Sequence, residues 1–198
     1  MKRPIGAAHA GSIDVDRGLV ERAQRGDRDA YEALARAASR RLYLVAHRIV
    51  RDTDRAEDAV QQALVAIWRE LPNLRDPDRF ESWTYRVVVR ACLAETRRTR
   101  RLGVTVAPLS DEQPATDRDA IADVAVRDEL EQAFRQLSPE HRAVIVLHHY
   151  VGLSLGEIAE VMGIPYGTVG SRLHHATRSM RATIEAGGRL PAPGGQQA

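Results

Sequence analysis

The sequence predicts an all-α protein: two small helical modules joined by a flexible acidic linker. Three observations carry this. Apolar residues recur every three to four positions along nearly all of the 198 residues, and no alternating strand pattern survives inspection. Residues 102–122, LGVTVAPLSDEQPATDRDAIA, break that rhythm with two prolines and several polar loop formers, as a tether does. Beyond them helical signals resume, with a serine–proline helix start at Ser138-Pro139 and a break at Gly163-Ile164-Pro165.

The elements follow in order. Residues 1–16 hold basic side chains but no apolar run, so they are expected to be a disordered N-terminus rather than a signal peptide. The first module, 17–101, opens with Leu19, Val20 and Ala23. It continues past the RGD turn with Tyr31, Leu34 and Ala35, then Leu42, Val45, Ala46, Ile49 and Val50. A further helix carries Ala59, Val60, Ala63, Leu64, Ile67 and Trp68 and ends near Leu71-Pro72. NLRDPDR is a turn-rich loop, and another helix runs from Phe80 or Ser82 into an arginine cluster. In the second module, 123–186, the rhythm returns with Val126, Leu130, Ala133, Phe134 and Leu137. The tail 187–198, GGRLPAPGGQQA, has the composition of a disordered segment.

Hydrophobic residues make up 43% and charged residues 28%, the balance of a soluble globular chain. The formal net charge is only +2, but its distribution is uneven. Between Arg86 and Arg101 six arginines stand against the single acid Glu95, while Asp111, Glu112, Asp117, Asp119 and Asp123 line the linker and its flank. One basic block beside one acidic segment suggests a polyanion at one place and a basic surface at another. Cys92 is the lone cysteine, which excludes an intramolecular disulfide and an all-cysteine metal site. No cofactor is expected, and no metal: the adjacent His148 and His149 cannot share a helix face. No apolar run approaches the length of a membrane span, so a cytoplasmic location without membrane insertion is the expectation.

The segment SLGEIAEVMGIPYGTVGSRLHHA carries the most chemistry. Ser154 with Glu157 three residues later is a capping box, and Gly163 is placed to end that helix in a left-handed conformation. Small Ala159, Gly163 and apolar Val169 have the offsets of a helix-turn-helix, whose second helix enters the major groove. Tyr166, Thr168, Gly170, Ser171, Arg172, His174, His175 and Arg178 are its candidate DNA contacts. Val169 and Leu173 must face inward, which leaves Gly170, Ser171, His174 and His175 on or near the open side. Arg172 and Arg178 suit phosphate contacts that fix register.

With AEDAVQQALVAIWRELPNL and RFESWTYRVVVRACLAETRRTRR in the first module, and LEQAFRQLSPEHRAVIVLHHY leading into that segment in the second, the chain resembles the extracytoplasmic-function sigma factors of the sigma-70 superfamily. The resemblance implies a region 2-like first module and a region 4-like second one. It further implies a promoter-recognition subunit of RNA polymerase with no catalysis of its own. Phe80, Trp83, Tyr85, Arg86, Arg90, Arg97 and Arg98 would recognise the downstream element and hold unpaired bases, a task suited to aromatic faces beside a basic track. Asp54, Glu57, Asp58, Gln61, Gln62, Leu64 and Trp68 would dock on the clamp of the polymerase's largest catalytic subunit. Partners implied are core RNA polymerase, promoter DNA and, for some members, an anti-sigma factor. This chain departs from the pattern at Gln62, Arg90, Gly170 and His175, where relatives often carry an acid, asparagine, a cation and arginine respectively. The C-terminal motif alone would also suit an autonomous DNA-binding regulator, and the weakly cationic recognition helix a protein-interaction module that binds no DNA.

Overall fold

The computed structural model describes residues 15–101 and 120–187, and every regular element among them is helical. The expectations for the N-terminus, most of the linker and the tail fall on residues outside these. In the first module, α1 (Arg17–Gln24), α2 (Arg28–Val50) and α3 (Thr53–Glu70) are followed by two 3₁₀ turns, Leu71–Asn73 and Pro77–Arg79. The second turn runs directly into α4 (Phe80–Arg101). The second module holds α5 (Ala120–Arg135), α6 (Pro139–Ile145), a π-helical turn (Val146–Val151), α7 (Leu155–Met162) and α8 (Tyr166–Gly187). α5 thus begins inside the stretch expected to be linker.

Caps set where helices start. Asp27 accepts the N–H of Ala30 at 3.0 Å and Asp52 that of Arg55 at 3.0 Å, each satisfying a donor the helix itself leaves open. Ser138 does the same for His141 at 3.3 Å, with Pro139 in the first turn. The short connections make α2, α3 and α4 neighbours, and Leu34, Leu42, Ile49, Ile67 and Val88 fill the space between them.

The two modules do not stand apart. α7 lies along α4, while α6 and the π-helical turn pack on α2, and one buried apolar cluster runs through both modules. A buried arginine anchors the seam: Arg41 of α2 donates to the hydroxyl of Tyr85 at 3.1 Å and to the carbonyl of Tyr150 at 3.4 Å. Its guanidinium also sits 4.6 Å from the Tyr150 ring centre, with that of Arg48 at 4.0 Å. Arg51, which ends α2 in a left-handed conformation (φ 64°), pairs with Glu131 of α5. Burial without a partner would be costly for a guanidinium, so these contacts make the seam specific as well as apolar.

Candidate nucleic-acid and partner interfaces

The helix-turn-helix forms as its caps require. Ser154 accepts the N–H of Glu157 at 3.3 Å while the Glu157 carboxylate accepts the N–H of Ser154 at 2.8 Å, closing the capping box. Gly163 ends α7 in the left-handed conformation at φ 65°, a region that penalises any side chain with a Cβ. Ile158, Val161, Val169 and Ala176 are buried where α7, α8 and the rest of the module meet. That packing fixes which side of α8 is open. Tyr166, Gly167, Ser171, His174, His175 and Arg178 are exposed, and Thr168, Gly170 and Arg172 are half-buried. Ser171 donates to the carbonyl of Thr168 at 3.0 Å, and the two histidine rings lie 5.8 Å apart. His141 at the start of α6 joins this cationic neighbourhood. Its pKa is lowered by burial first, then by the charges of Arg172 and His175. No residue near His141 in the chain marks this placement, because α6 and α8 meet only in the folded module.

The downstream-element set divides. Phe80 is 3% exposed and Tyr85 1%, so neither ring offers a face to a base; both belong to the core. The physical reason is that α4 is enclosed by α2 and α3 and covered by α7, so apolar side chains on more than one of its faces are buried. Tyr85 instead links Arg41 to Glu81, donating to that carboxylate at 3.0 Å, and burial pushes its pKa up to about 12. Trp83 is half-buried, 6.2 Å from Phe80 ring to ring, and remains the aromatic with an open edge. Arg90 and Arg97 are exposed, whereas Arg86 is half-buried with its Nε out of water. Arg98 is held at 3.1 Å by both oxygens of the buried Glu95, so much of its charge is spent at home. Cys92 is fully buried, and desolvation pushes its thiol up to about 12.

On α3, Asp54, Glu57, Asp58, Gln61 and Gln62 are all exposed and Leu64 is half-buried. Trp68 is 37% exposed, braced edge-on by Tyr31 at 4.6 Å, whose hydroxyl donates to the Leu64 carbonyl at 2.5 Å. Val65 is 50% exposed and was not among the expected residues. Helical spacing could have found it, since Asp58, Gln61, Val65 and Trp68 lie along one stripe. An acidic rim around an exposed valine and tryptophan suits a protein surface that is basic and apolar together.

Comparison with known proteins settles the family. The family model described as Sigma-70 region 2 matches residues 34–102, and that described as Sigma-70, region 4 matches residues 127–180. RNA polymerase sigma-H factor of Pseudomonas aeruginosa is 30% identical over 181 residues, covering 86% of this chain and 94% of that one. ECF RNA polymerase sigma factor SigM of Mycobacterium tuberculosis is 34% identical over 151 residues, 76% of this chain and 75% of that one. The chain belongs to the ECF sigma factors of the sigma-70 family. A solved structure titled as CnrH in complex with the cytosolic domain of CnrY shares the fold, with a TM-score of 0.60 and 27% identity. That match covers 87% of this chain and 99% of that one. As a sigma factor the chain binds core RNA polymerase and promoter DNA and serves in transcription initiation. No helix among the described residues is long and apolar enough to cross a membrane.

Proposed function

We propose that this sigma factor is a non-catalytic, cytoplasmic subunit whose three surfaces divide the work of initiation. The start of α8 reads the upstream, minus-35 element through Ser171, His174 and His175, with Arg172 and Arg178 on phosphates. The loop 72–79 and α4 meet the downstream element, with Trp83 as the stacking ring and Arg90 and Arg97 tracking the backbone. The Asp58–Gln61–Val65–Trp68 stripe of α3 takes the polymerase clamp. The observation that carries this reading is the open row of α8, polar and cationic, directly behind a well-packed helix-turn-helix. Because the solved relative CnrH is complexed with the cytosolic domain of CnrY, and the sigma factor RpoE of Bartonella quintana with the anti-sigma factor NepR, a protein that silences this chain by binding it fits the same reading.

Gel filtration with core polymerase tests the assignment of α3. Co-elution of the wild-type chain, lost on Val65→Glu with Trp68→Ala, is the expected result. A chain that elutes apart from polymerase, as a DNA-binding dimer, would overturn it in favour of an autonomous regulator. Selection from DNA randomised at the upstream element then tests α8: His174→Ala and His175→Ala are each expected to relax the preference locally.

A further inference from the structure

α1 carries none of the residues assigned above to DNA or polymerase, yet it grips the loop before α4 in two places. Near its start, Arg17 donates to the carboxylate of Asp78 at 2.7 Å and to that of Glu21 at 2.8 Å. At its end, the side-chain amide of Gln24 donates to the carbonyl of Leu71 at 3.2 Å and to that of Leu74 at 2.6 Å. Arg17 and Gln24 stand two helical turns apart, so they share one face about 10 Å long. Val20 and Ala23, both buried, fix α1 itself to the core.

The two grips differ in strength. The Arg17–Asp78 pair is exposed on both sides, and such pairs contribute little. Gln24 is half-buried, and both its acceptors are main-chain carbonyls. The Leu71 carbonyl also accepts the N–H of Leu74 at 3.1 Å, which closes the first 3₁₀ turn, so Gln24 ties that turn and the residue after it to α1. One amide nitrogen has two hydrogens to give, whereas an ionised glutamate of the same shape has none. Around these anchors Asn73, Arg75 and Asp76 stay exposed. Asp76 accepts the N–H of Asp78 at 3.1 Å, while Arg75 has no partner among the described residues.

We infer that Gln24 is a positioning residue for promoter recognition: through the Leu71 and Leu74 carbonyls it splints the loop, so that Asn73 and Arg75 meet an unpaired base of the downstream element in one fixed pose. The inference rests on the assignment of loop 72–79 to that element. Gln24 touches no DNA; it orders the loop before DNA arrives, so binding does not have to fix that backbone. Without its two bonds only a fraction of chains holds the competent pose, and affinity falls by that fraction.

Holoenzymes carrying wild type, Gln24→Met or Gln24→Glu test this, with the loop variants Asn73→Ala and Arg75→Ala beside them. The downstream element is first selected from randomised DNA by wild-type holoenzyme, and its single-stranded non-template strand is the probe. Both Gln24 variants are expected to bind that strand about tenfold more weakly, since each loses two hydrogen bonds. They should also lose discrimination against single-base changes at the positions where the loop variants lose it, and nowhere else. Arg17→Ala, which removes the exposed grip, should cost about twofold or less. Elution with core polymerase and preference at the upstream element should stay as in wild type, which a general loss of folding would not allow. In the free chain, hydrogen exchange at the Leu74 amide should quicken about tenfold in Gln24→Met while that of buried Val88 does not change. Equal Leu74 protection, or wild-type affinity and discrimination in Gln24→Met, overturns the inference. So does a loss seen in Gln24→Glu alone, which would mark charge repulsion from DNA and not a missing splint. Loop variants that keep wild-type discrimination tell against the loop's assignment, and the inference falls with it. Loop variants that lose it beside an unaffected Gln24→Met leave that assignment standing and remove only the splint.

Discussion

α4 and α8 are both 22 residues long and both were expected to face DNA, yet they meet the rest of the protein differently. α8 packs on α5, α6 and α7 and leaves a long row open, so a single buried line through Val169 and Ala176 settles its orientation. α4 lies among α2, α3 and α7, and Phe80, Thr84, Tyr85, Val87, Val88, Val89, Cys92, Glu95 and Thr99 are all buried. An aromatic on α8 is therefore open to a ligand by default, as Tyr166 is at 62% exposure, while one on α4 is core unless its position says otherwise. A resemblance that places a helix at DNA does not say which of its rings touch it.

The largest effect that would break this comparison lies at Phe80. Phe80→Ala removes a ring from a filled core and is expected to destabilise the chain by about 3–5 kcal/mol. Urea unfolding followed by circular dichroism measures it. A variant that unfolds like wild type but fails to open promoters would return Phe80 to the DNA face. Trp83→Ala should behave in the opposite way, with a modest loss of stability and a cost of roughly 1–3 kcal/mol in promoter opening from one lost stacking contact. Permanganate footprinting of the mutant holoenzyme reports this, and a pre-melted template should rescue it. Unchanged thymine reactivity would make Trp83 one more core residue.

How much of this was legible beforehand varies with the range of the contact. Capping boxes, proline starts and the Gly163 break act over three to five residues, so the sequence displays them, and the open side of α8 follows from Val169 and Leu173 alone. Burial of Arg41 depends on Tyr85 and Tyr150, 44 and 109 positions away, and nothing near Arg41 marks it as different from a solvated arginine. The packed seam between the modules was hidden for the same reason. The burial of Phe80 and Tyr85 is not legible because FESWTYRVVV carries apolar residues on several faces, a pattern equally compatible with an enclosed helix and with an aromatic platform. Glu95 was visible only as a lone acid among arginines; that it neutralises Arg98 from a buried position required the fold.

A smaller effect sharpens the comparison on the α8 side. A Cβ built on Gly170 meets nothing within 4 Å, and this helical position requires no special backbone conformation. Gly170→Ala is therefore expected to stabilise the second module by about 1 kcal/mol, the usual helix-propensity gain. Gly170→Arg should keep that gain and add a cation at the groove, raising affinity for many upstream sequences. Were Gly170→Ala to destabilise the chain, or Gly170→Arg to weaken upstream binding, the face around Gly170 would not be the open surface described.

The smallest expected effect concerns pH, and its sign separates stability from binding. His141 has its pKa lowered by burial, then by Arg172 and His175, with Glu140 opposing; His149 is lowered by burial and then by His148. Both imidazoles are thus held neutral in the folded chain more firmly than in the unfolded one, whose histidines titrate near ~6.5. Above that value their contribution to stability is fully present. As pH falls through ~6.5 towards the lowered folded values, the unfolded chain takes up more protons and the contribution is lost. Upstream DNA works in the other direction. A phosphate near His141, Arg172 and His175 favours the imidazolium, so acidification should tighten binding of the upstream duplex while the unfolding midpoint drops. Holoenzyme binding at fixed ionic strength and urea unfolding, both between pH 7.5 and 6.0, measure the pair, with His141→Gln expected to flatten each. If affinity fell in parallel with stability, the histidine cluster would be part of the module's packing and not of its DNA surface.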